Sequence, residues 1–163
     1  MKYRLFAGLA IAGVFAFVAL PAFADQSQGV NLSAGQYLDI HDPYLNVGYT
    51  MPIGHGWSLE PNAEYIFVNS GSMFSFNVDG RYLLTPASPN PMYIGAGFGV
   101  IRRNQATNST NSAVNLMWGV DFDAYQGPFT PFVRVKSVFA NNSDIAVSFG
   151  LHFGRHARGQ TKH

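Results

Sequence analysis

The stretch IAVSFGLHF, residues 145–153, decides the fold of this chain. Its odd-numbered positions are all apolar or aromatic, and its even-numbered positions are small or polar. Side chains of a β-strand point alternately to opposite sides, so this segment has one apolar face and one small or polar face. Such a strand is typical of a membrane-spanning β-barrel, in which lipid covers the outer face.

The same alternation returns in seven runs between Tyr44 and Phe153, separated by segments rich in Gly, Pro, Asn and Asp. Bacterial single-chain barrels have an even number of strands, so an eighth strand is expected upstream, where 32–40 is the candidate. The sequence therefore predicts an all-β, eight-stranded antiparallel transmembrane up-and-down barrel. Its predicted strands are 32–40, 44–51, 57–69, 73–84, 92–102, 114–124, 129–139 and 145–153.

Composition alone conceals this fold, because the 163 residues are 12% charged and 47% hydrophobic, as in many soluble domains. No segment after residue 24 has the 18 or more consecutive apolar residues of a spanning helix, so any crossing must be by strands. The absence of cysteine excludes disulfides and thiolate metal sites. A formal net charge of +1 gives no indication of a nucleic-acid partner, and none is expected.

The two ends of the chain are predicted to lie outside the barrel. Residues 1–24 have a basic start at Lys2 and Arg4, an apolar stretch, and a small-x-small motif at 22–24, which together predict a cleaved signal peptide. Residues 25–154 then form the barrel, and 155–163 form a basic periplasmic tail.

Alternation also assigns the charged residues of the strands to the inner face of the barrel. A soluble β-sandwich or a lipocalin-like barrel alternates as well, but its outer face should carry charge, which favours the membrane barrel. The predicted lumen charges are Glu60, Glu64, Asp79, Arg81, Asp121, Asp123, Arg134 and Lys136.

These charges need partners if they are buried, and the sequence suggests some. A tight turn at 69–72 would place Glu64 beside Asp79, with Arg81 holding both carboxylates. Gly119 opposite Arg134 would leave room for that guanidinium to bind Asp121. Because eight strands enclose an interior that side chains can just fill, a plugged, salt-bridged lumen is expected.

An even strand number places both termini on the periplasmic side. The connections at 52–56, 85–91 and 125–128 are then periplasmic. Those at 41–43, 69–72, 103–113 and 140–144 are external, and among these only 103–113, rich in Asn and Thr, is long.

Arg102 and Arg103 come at the external end of the fifth predicted strand. There they are expected to bind lipopolysaccharide phosphates through charge-assisted hydrogen bonds. The alternative is that these long side chains only extend from the apolar surface to water.

Residues 30–153 resemble the small outer-membrane barrels of the OmpA/OmpX type and the opacity-like outer-membrane β-barrel domain family. The resemblance rests on the signal peptide, the Gly-rich strand YIGAGFG at 93–99 and a last strand ending on the aromatic Phe153. It implies a location in the cell outer membrane. The partners it implies are outer-membrane lipid, lipopolysaccharide and the outer-membrane assembly machinery. Members of this family usually stop at the terminal aromatic residue, whereas this chain continues to His163.

Three functions are compatible with such a barrel: a structural, envelope-supporting role, a narrow or gated channel for small solutes or ions, and a lipid A-modifying enzyme. The first is favoured and no enzyme activity is expected, because none of the five histidines precedes a serine by two positions, as the lipid A deacylase type requires. Ser148 and His152 share a face but lie about 13 Å apart along the strand. His41 with Asp39 or Asp42 is only a partial ligand set, so neither a metal nor a cofactor is expected. An adhesive role would need larger external loops.

Overall fold

The computed structural model describes residues 28–69, 71–104, 108–123 and 128–155. The predicted signal peptide and the tail beyond Arg155 lie outside the described residues. Within them, the structure contains no helix with the length and hydropathy needed to span a membrane.

Eight strands form one closed sheet, in which each strand pairs antiparallel with its neighbours in the chain and β1 pairs with β8. This confirms the predicted all-β, eight-stranded up-and-down barrel. The strands are β1 Gln28–Tyr37, β2 Pro43–Gly54, β3 Trp57–Ile66, β4 Ser72–Leu83, β5 Met92–Asn104, β6 Ser109–Asp121, β7 Thr130–Phe139 and β8 Ser143–Arg155.

The barrel has two rims. The terminal rim is the end where β1 begins and β8 ends. The hairpin rim is the opposite end, where the connections 38–42, 67–71, 105–108 and 140–142 join the strands in pairs.

The distribution of side chains is the reverse of that in a soluble protein. On the outer face, Phe98 is 75% exposed and Phe76 60%, whereas in the interior Glu60 is 0% exposed. Charged residues are almost never fully buried in soluble proteins, and contiguous aromatic surfaces are rarely left in water. The outer face is therefore built for an apolar surrounding.

The first strand lies upstream of its predicted position: β1 is Gln28–Tyr37, not 32–40. Its register with β8 runs from Gln28 opposite Arg155 to Tyr37 opposite Ala146. Residues 38–40 form a turn, in which the Tyr37 amide donates to the Asp42 carbonyl over 3.0 Å. Gly29, Asn31, Ser33 and Gly35 face inward, and these small or polar residues made the alternation weak in the sequence.

The long external loop predicted at 103–113 is also wrong. β5 continues to Asn104, β6 begins at Ser109, and Arg103 lies opposite Ser109. Residues 109–113 of the Asn- and Thr-rich segment are therefore strand, because pairing with β5 satisfies their backbone although they have no apolar face to bury. Within the described ranges, all connections of the hairpin rim are short.

Candidate functional site

The candidate site is the barrel interior, and Glu60 is at its centre. Both carboxylate oxygens of Glu60 bind Arg134, at 2.7 Å from Nη1 to Oε1 and 3.0 Å from Nη2 to Oε2. Arg81 adds a third charge-assisted hydrogen bond, 3.0 Å from Nη1 to Oε2. A buried carboxylate held by two guanidinium groups is the arrangement that compensates the cost of burying all three charges.

Tyr93 organises the two arginines around Glu60. The guanidinium carbon of Arg81 lies 3.7 Å from the centre of the Tyr93 ring, and Arg134 Nε donates to the Tyr93 hydroxyl over 3.0 Å. The other end of the Arg81 guanidinium binds Asp121 Oδ2, also at 3.0 Å. Arg81 therefore connects the buried centre to Asp121 at the terminal rim.

A layer of asparagines fills the middle of the interior. Asp79 accepts hydrogen bonds from Asn62 over 2.7 Å and from Asn115 over 3.2 Å. Asn77 joins the layer by donating to Asn62 over 3.0 Å and accepting from Asn115 over 2.9 Å. Side-chain amides donate and accept at once, so they extend the network without adding charge.

Above this layer, toward the hairpin rim, Lys136 and Glu64 form a second buried ion pair. The Tyr37 hydroxyl donates to Glu64 Oε2 over 2.8 Å, and Asn46 donates to Oε1 over 3.4 Å. The Lys136 ammonium also lies 5.7 Å from the centre of the Tyr44 ring, within the range of a cation–π contact.

An apolar cluster closes the interior at the hairpin rim. We call it the rim cluster, and its members are Tyr37, Tyr44, Ile66, Met73, Ala113, Val138 and Ala146. Ile66 and Ala146 are 0% exposed. The rim cluster therefore lies between the polar interior and the hairpin rim.

Glycines of β5 and β6 make room for this interior. A Cβ on Gly97 would lie 2.1 Å from Asp79 Oδ1, and one on Gly119 would lie 2.3 Å from the Tyr93 hydroxyl. The Gly-rich run of β5 therefore provides the space that the opposing polar side chains occupy.

The structure brings most of the predicted lumen charges together, but with different partners. Arg81 does bridge two carboxylates, which are Glu60 and Asp121 instead of Glu64 and Asp79. The reason is the register of β3 and β4, which places Glu60 opposite Asp79 and Glu64 opposite Ser75. The connection 67–71 is longer than the tight turn that the prediction assumed.

Gly119 does lie opposite Arg134, as expected, and the Tyr93 ring fills the space beside it. The predicted bond between Arg134 and Asp121 was wrong, because Arg134 binds Glu60. The assignment of Asp123 to the lumen was wrong too: β6 ends at Asp121, and Asp123 is exposed beyond it.

Arg102 and Arg103 do not face the same way. Arg102 is on the outer face of β5, where its Nε donates to Asn104 Oδ1 over 3.2 Å. Arg103 has the opposite parity, and its guanidinium contacts Met73 Sδ of the rim cluster at 3.4 Å. Alternation along the strand separates the two side chains, so only Arg102 faces the surroundings of the barrel wall.

Sequence reasoning missed Tyr93, Tyr37 and the asparagine layer. Alternation along the strands assigns all of them to the inner face. They were missed because only charged residues were considered as lumen residues, and neutral polar side chains were not. His152, which shares a face of β8 with Ser148, contacts Asn31 in the interior. In the described part of the chain, no group of three His, Cys, Asp or Glu residues is placed to hold a metal ion.

The fold and interior together define a class of protein. The chain is a closed eight-stranded up-and-down β-barrel with an apolar outer face and a polar interior.

Comparison with solved structures agrees with this class. The N-terminal β-barrel domain of Pseudomonas aeruginosa OprF is similar with a TM-score of 0.68 at 11% identity, over 80% of this chain and 98% of that one. Neisserial surface protein A is similar with a TM-score of 0.50 at 13% identity, over 77% of this chain and 92% of that one. Ail, the attachment invasion locus protein of Yersinia pestis, is similar with a TM-score of 0.50 at 14% identity, over 78% of this chain and 94% of that one. At these identities the likeness is one of fold. No protein-family model matches the chain, and no curated protein does either.

Proposed function

We propose that this protein is an integral barrel of the bacterial outer membrane with a structural, envelope-supporting role and a closed lumen. The observation that carries the proposal is an interior that holds the buried ion pairs of Glu60 and Glu64 and the asparagine layer, with the rim cluster between them and the hairpin rim. A barrel that only has to span and hold the envelope needs a stable interior and no path through it. The fold shared with OprF and Ail and the apolar outer face support the location.

An orientation follows from this proposal. With an even strand number, both termini lie on the periplasmic side, so the terminal rim faces the periplasm and the hairpin rim faces outside. The aromatic end of β8 at Phe153 is then available to the assembly machinery from the periplasm.

Single-channel recording in a planar bilayer tests the closed lumen. The wild-type mature protein should give no current, because the rim cluster and the ion pairs both obstruct the interior. An Arg81→Ala variant removes one of the two guanidinium groups that bind Glu60 but leaves the rim cluster intact, so it should give no current either. Steady conductance from the wild type would contradict the structural role.

A narrow gated channel is the second candidate, and one observation favours it. Polar side chains are continuous from Asp121 to Glu64, so the rim cluster is the barrier that separates this polar interior from the hairpin rim. Replacing Tyr37 and Tyr44 by alanine should open it. Current from the double variant, with a silent wild type, would support a gate at the rim cluster over a gate at Arg81.

We propose no enzymatic role. Ser148 lies opposite Arg134 and His152 opposite Thr130, four residues apart on β8, and His152 contacts Asn31. Incubation of the refolded protein with lipid A should leave its acyl chains unchanged in a mass spectrum, and release or transfer of a chain would refute this.

A further inference from the structure

The outer face of the barrel carries two apolar grooves. The first, of about 740 Å³, combines the small side chains of Ala34 and Ala63 with the large ones of Phe149 and Phe76. The second, of about 370 Å³, is lined by Phe76, Phe98 and Val100. Because Phe76 lines both, it is the ridge that separates the grooves.

Both grooves lead to Arg102. Consecutive register partners across β1 to β5 are Ala34, Leu45, Tyr65, Phe74 and Arg102. This row starts in the first groove and ends on the arginine. Val100 of the second groove is two residues before Arg102, on the same face of β5. The row crosses four strand spacings and is therefore roughly 19 Å long around the wall of the barrel.

Arg102 has hydrogen-bonding capacity left over. Its Nε is fixed by Asn104 Oδ1, and among the described residues its two terminal NH2 groups have no partner. The exposed hydroxyl of Thr110 is its register neighbour on β6. A guanidinium held at Nε, beside a hydroxyl, presents donors in the geometry that a phosphate accepts.

We propose that Arg102 and the two grooves bind one phosphorylated lipid with several acyl chains, the lipid A part of lipopolysaccharide. A phosphate binds Arg102 and Thr110, and acyl chains lie on both sides of Phe76. The inference rests on the proposed outer-membrane location, which places the hairpin rim, and with it Arg102, at the outer leaflet where lipopolysaccharide lies.

Binding of purified lipid A to the mature protein in phosphatidylcholine nanodiscs, followed by native mass spectrometry, tests the site. Arg102→Gln should weaken binding about tenfold or more, since hydrogen bonds to charged groups contribute that much. Arg103→Gln is the matched control: it removes the same charge one residue away, on the side of Met73, and should leave affinity unchanged. Ala63→Phe, or Ala34→Leu if that variant does not fold, should weaken binding by filling the first groove.

Three outcomes would overturn the inference: no lipid A binding by the wild type, equal losses for Arg102→Gln and Arg103→Gln, or equally tight binding of phosphatidylglycerol. Lipid A without phosphates should bind the wild type and Arg102→Gln equally, and a remaining difference would contradict the phosphate contact. The mobility difference between unboiled and boiled samples reports the barrel in every sample. A barrel that is intact but does not bind overturns this site and leaves the proposed function standing.

Discussion

Glu60 is the side chain on which the interior most depends, because three hydrogen bonds from two arginines converge on it. Its removal leaves Arg81 and Arg134 buried with their charges partly uncompensated. Removing one partner of a buried ion pair costs about 3–5 kcal/mol, far more than the net value of the pair.

We therefore expect Glu60→Ala to lower the free energy of unfolding by about 3–5 kcal/mol, measured by urea denaturation in lipid vesicles with tryptophan fluorescence. Asp123→Asn is the matched control, since it removes a carboxylate that is exposed, and it should stay within about 0.5 kcal/mol of the wild type. Equal losses in the two variants would show that the ion pairs do not hold the interior together.

Gly119 and Gly80 provide a second matched pair. A Cβ at Gly119 would lie 2.3 Å from Tyr93 and 2.7 Å from the Val133 carbonyl, whereas one at Gly80 would meet only the Ala96 carbonyl at 3.6 Å. Gly119→Ala should destabilise the barrel by about 1–3 kcal/mol through overpacking. Gly80→Ala should be neutral or stabilise it by up to about 1 kcal/mol. The same denaturation experiment distinguishes them, and a tolerated Gly119→Ala would mean that Tyr93 moves freely.

At the scale of strands, β6 extends beyond its neighbour β7. β6 pairs with β7 only from Val114 onward, so the segment 109–113 pairs with β5 alone. A side-chain hydrogen bond of 3.1 Å from Asn141 to Asn111 crosses from the β7–β8 connection to this segment.

Amide hydrogen exchange should therefore show alternating protection in 109–113, since the amides directed at β5 are bonded and the others are not. Residues 100–103 of β5 pair on both sides and should be protected throughout. Mass spectrometry of fragmented peptides resolves the pattern. Uniformly fast exchange across 103–113 would instead support the external loop that the sequence predicted there.

The strands also show what the sequence could predict. Alternation predicts which residues face inward, and the structure buries Glu60, Arg81 and Arg134 in the interior. Which inward residues meet depends on register, and a slip of four residues between β3 and β4 keeps every side chain on its face. Alternation therefore could not distinguish Glu60 from Glu64 as the partner of Arg81. The start of β6, residues 109–113, was missed because backbone pairing does not require apolar residues.

For the whole molecule, closure of the ring is the decisive property. Ten residues of β1, Gln28–Tyr37, pair with β8 and leave no free edge between the first and last strands. A closed barrel of this kind resists unfolding by detergent until it is heated, because every strand is hydrogen-bonded to a neighbouring strand on both sides.

The refolded mature protein should accordingly migrate faster on a detergent gel before boiling than after. A variant without residues 143–155 lacks β8, cannot close the ring and should show a single mobility. Identical migration of boiled and unboiled full-length protein would refute the closed barrel in lipid.

The contact between Glu60 and Arg134 joins β3 to β7 across the interior, 74 positions apart in the chain. Glu60 and Arg134 cannot pair until both β3 and β7 are in place. A sheet that still lacks β7 therefore has unpaired charges on its inner face. The charge on β3 is therefore compensated only when β7 has joined the sheet, and we expect the strands to insert in one concerted step. This gives a slow rate of folding, as expected for contacts between distant parts of a chain. With the proposed outer-membrane location, we expect partly assembled barrels to be the species most exposed to proteases.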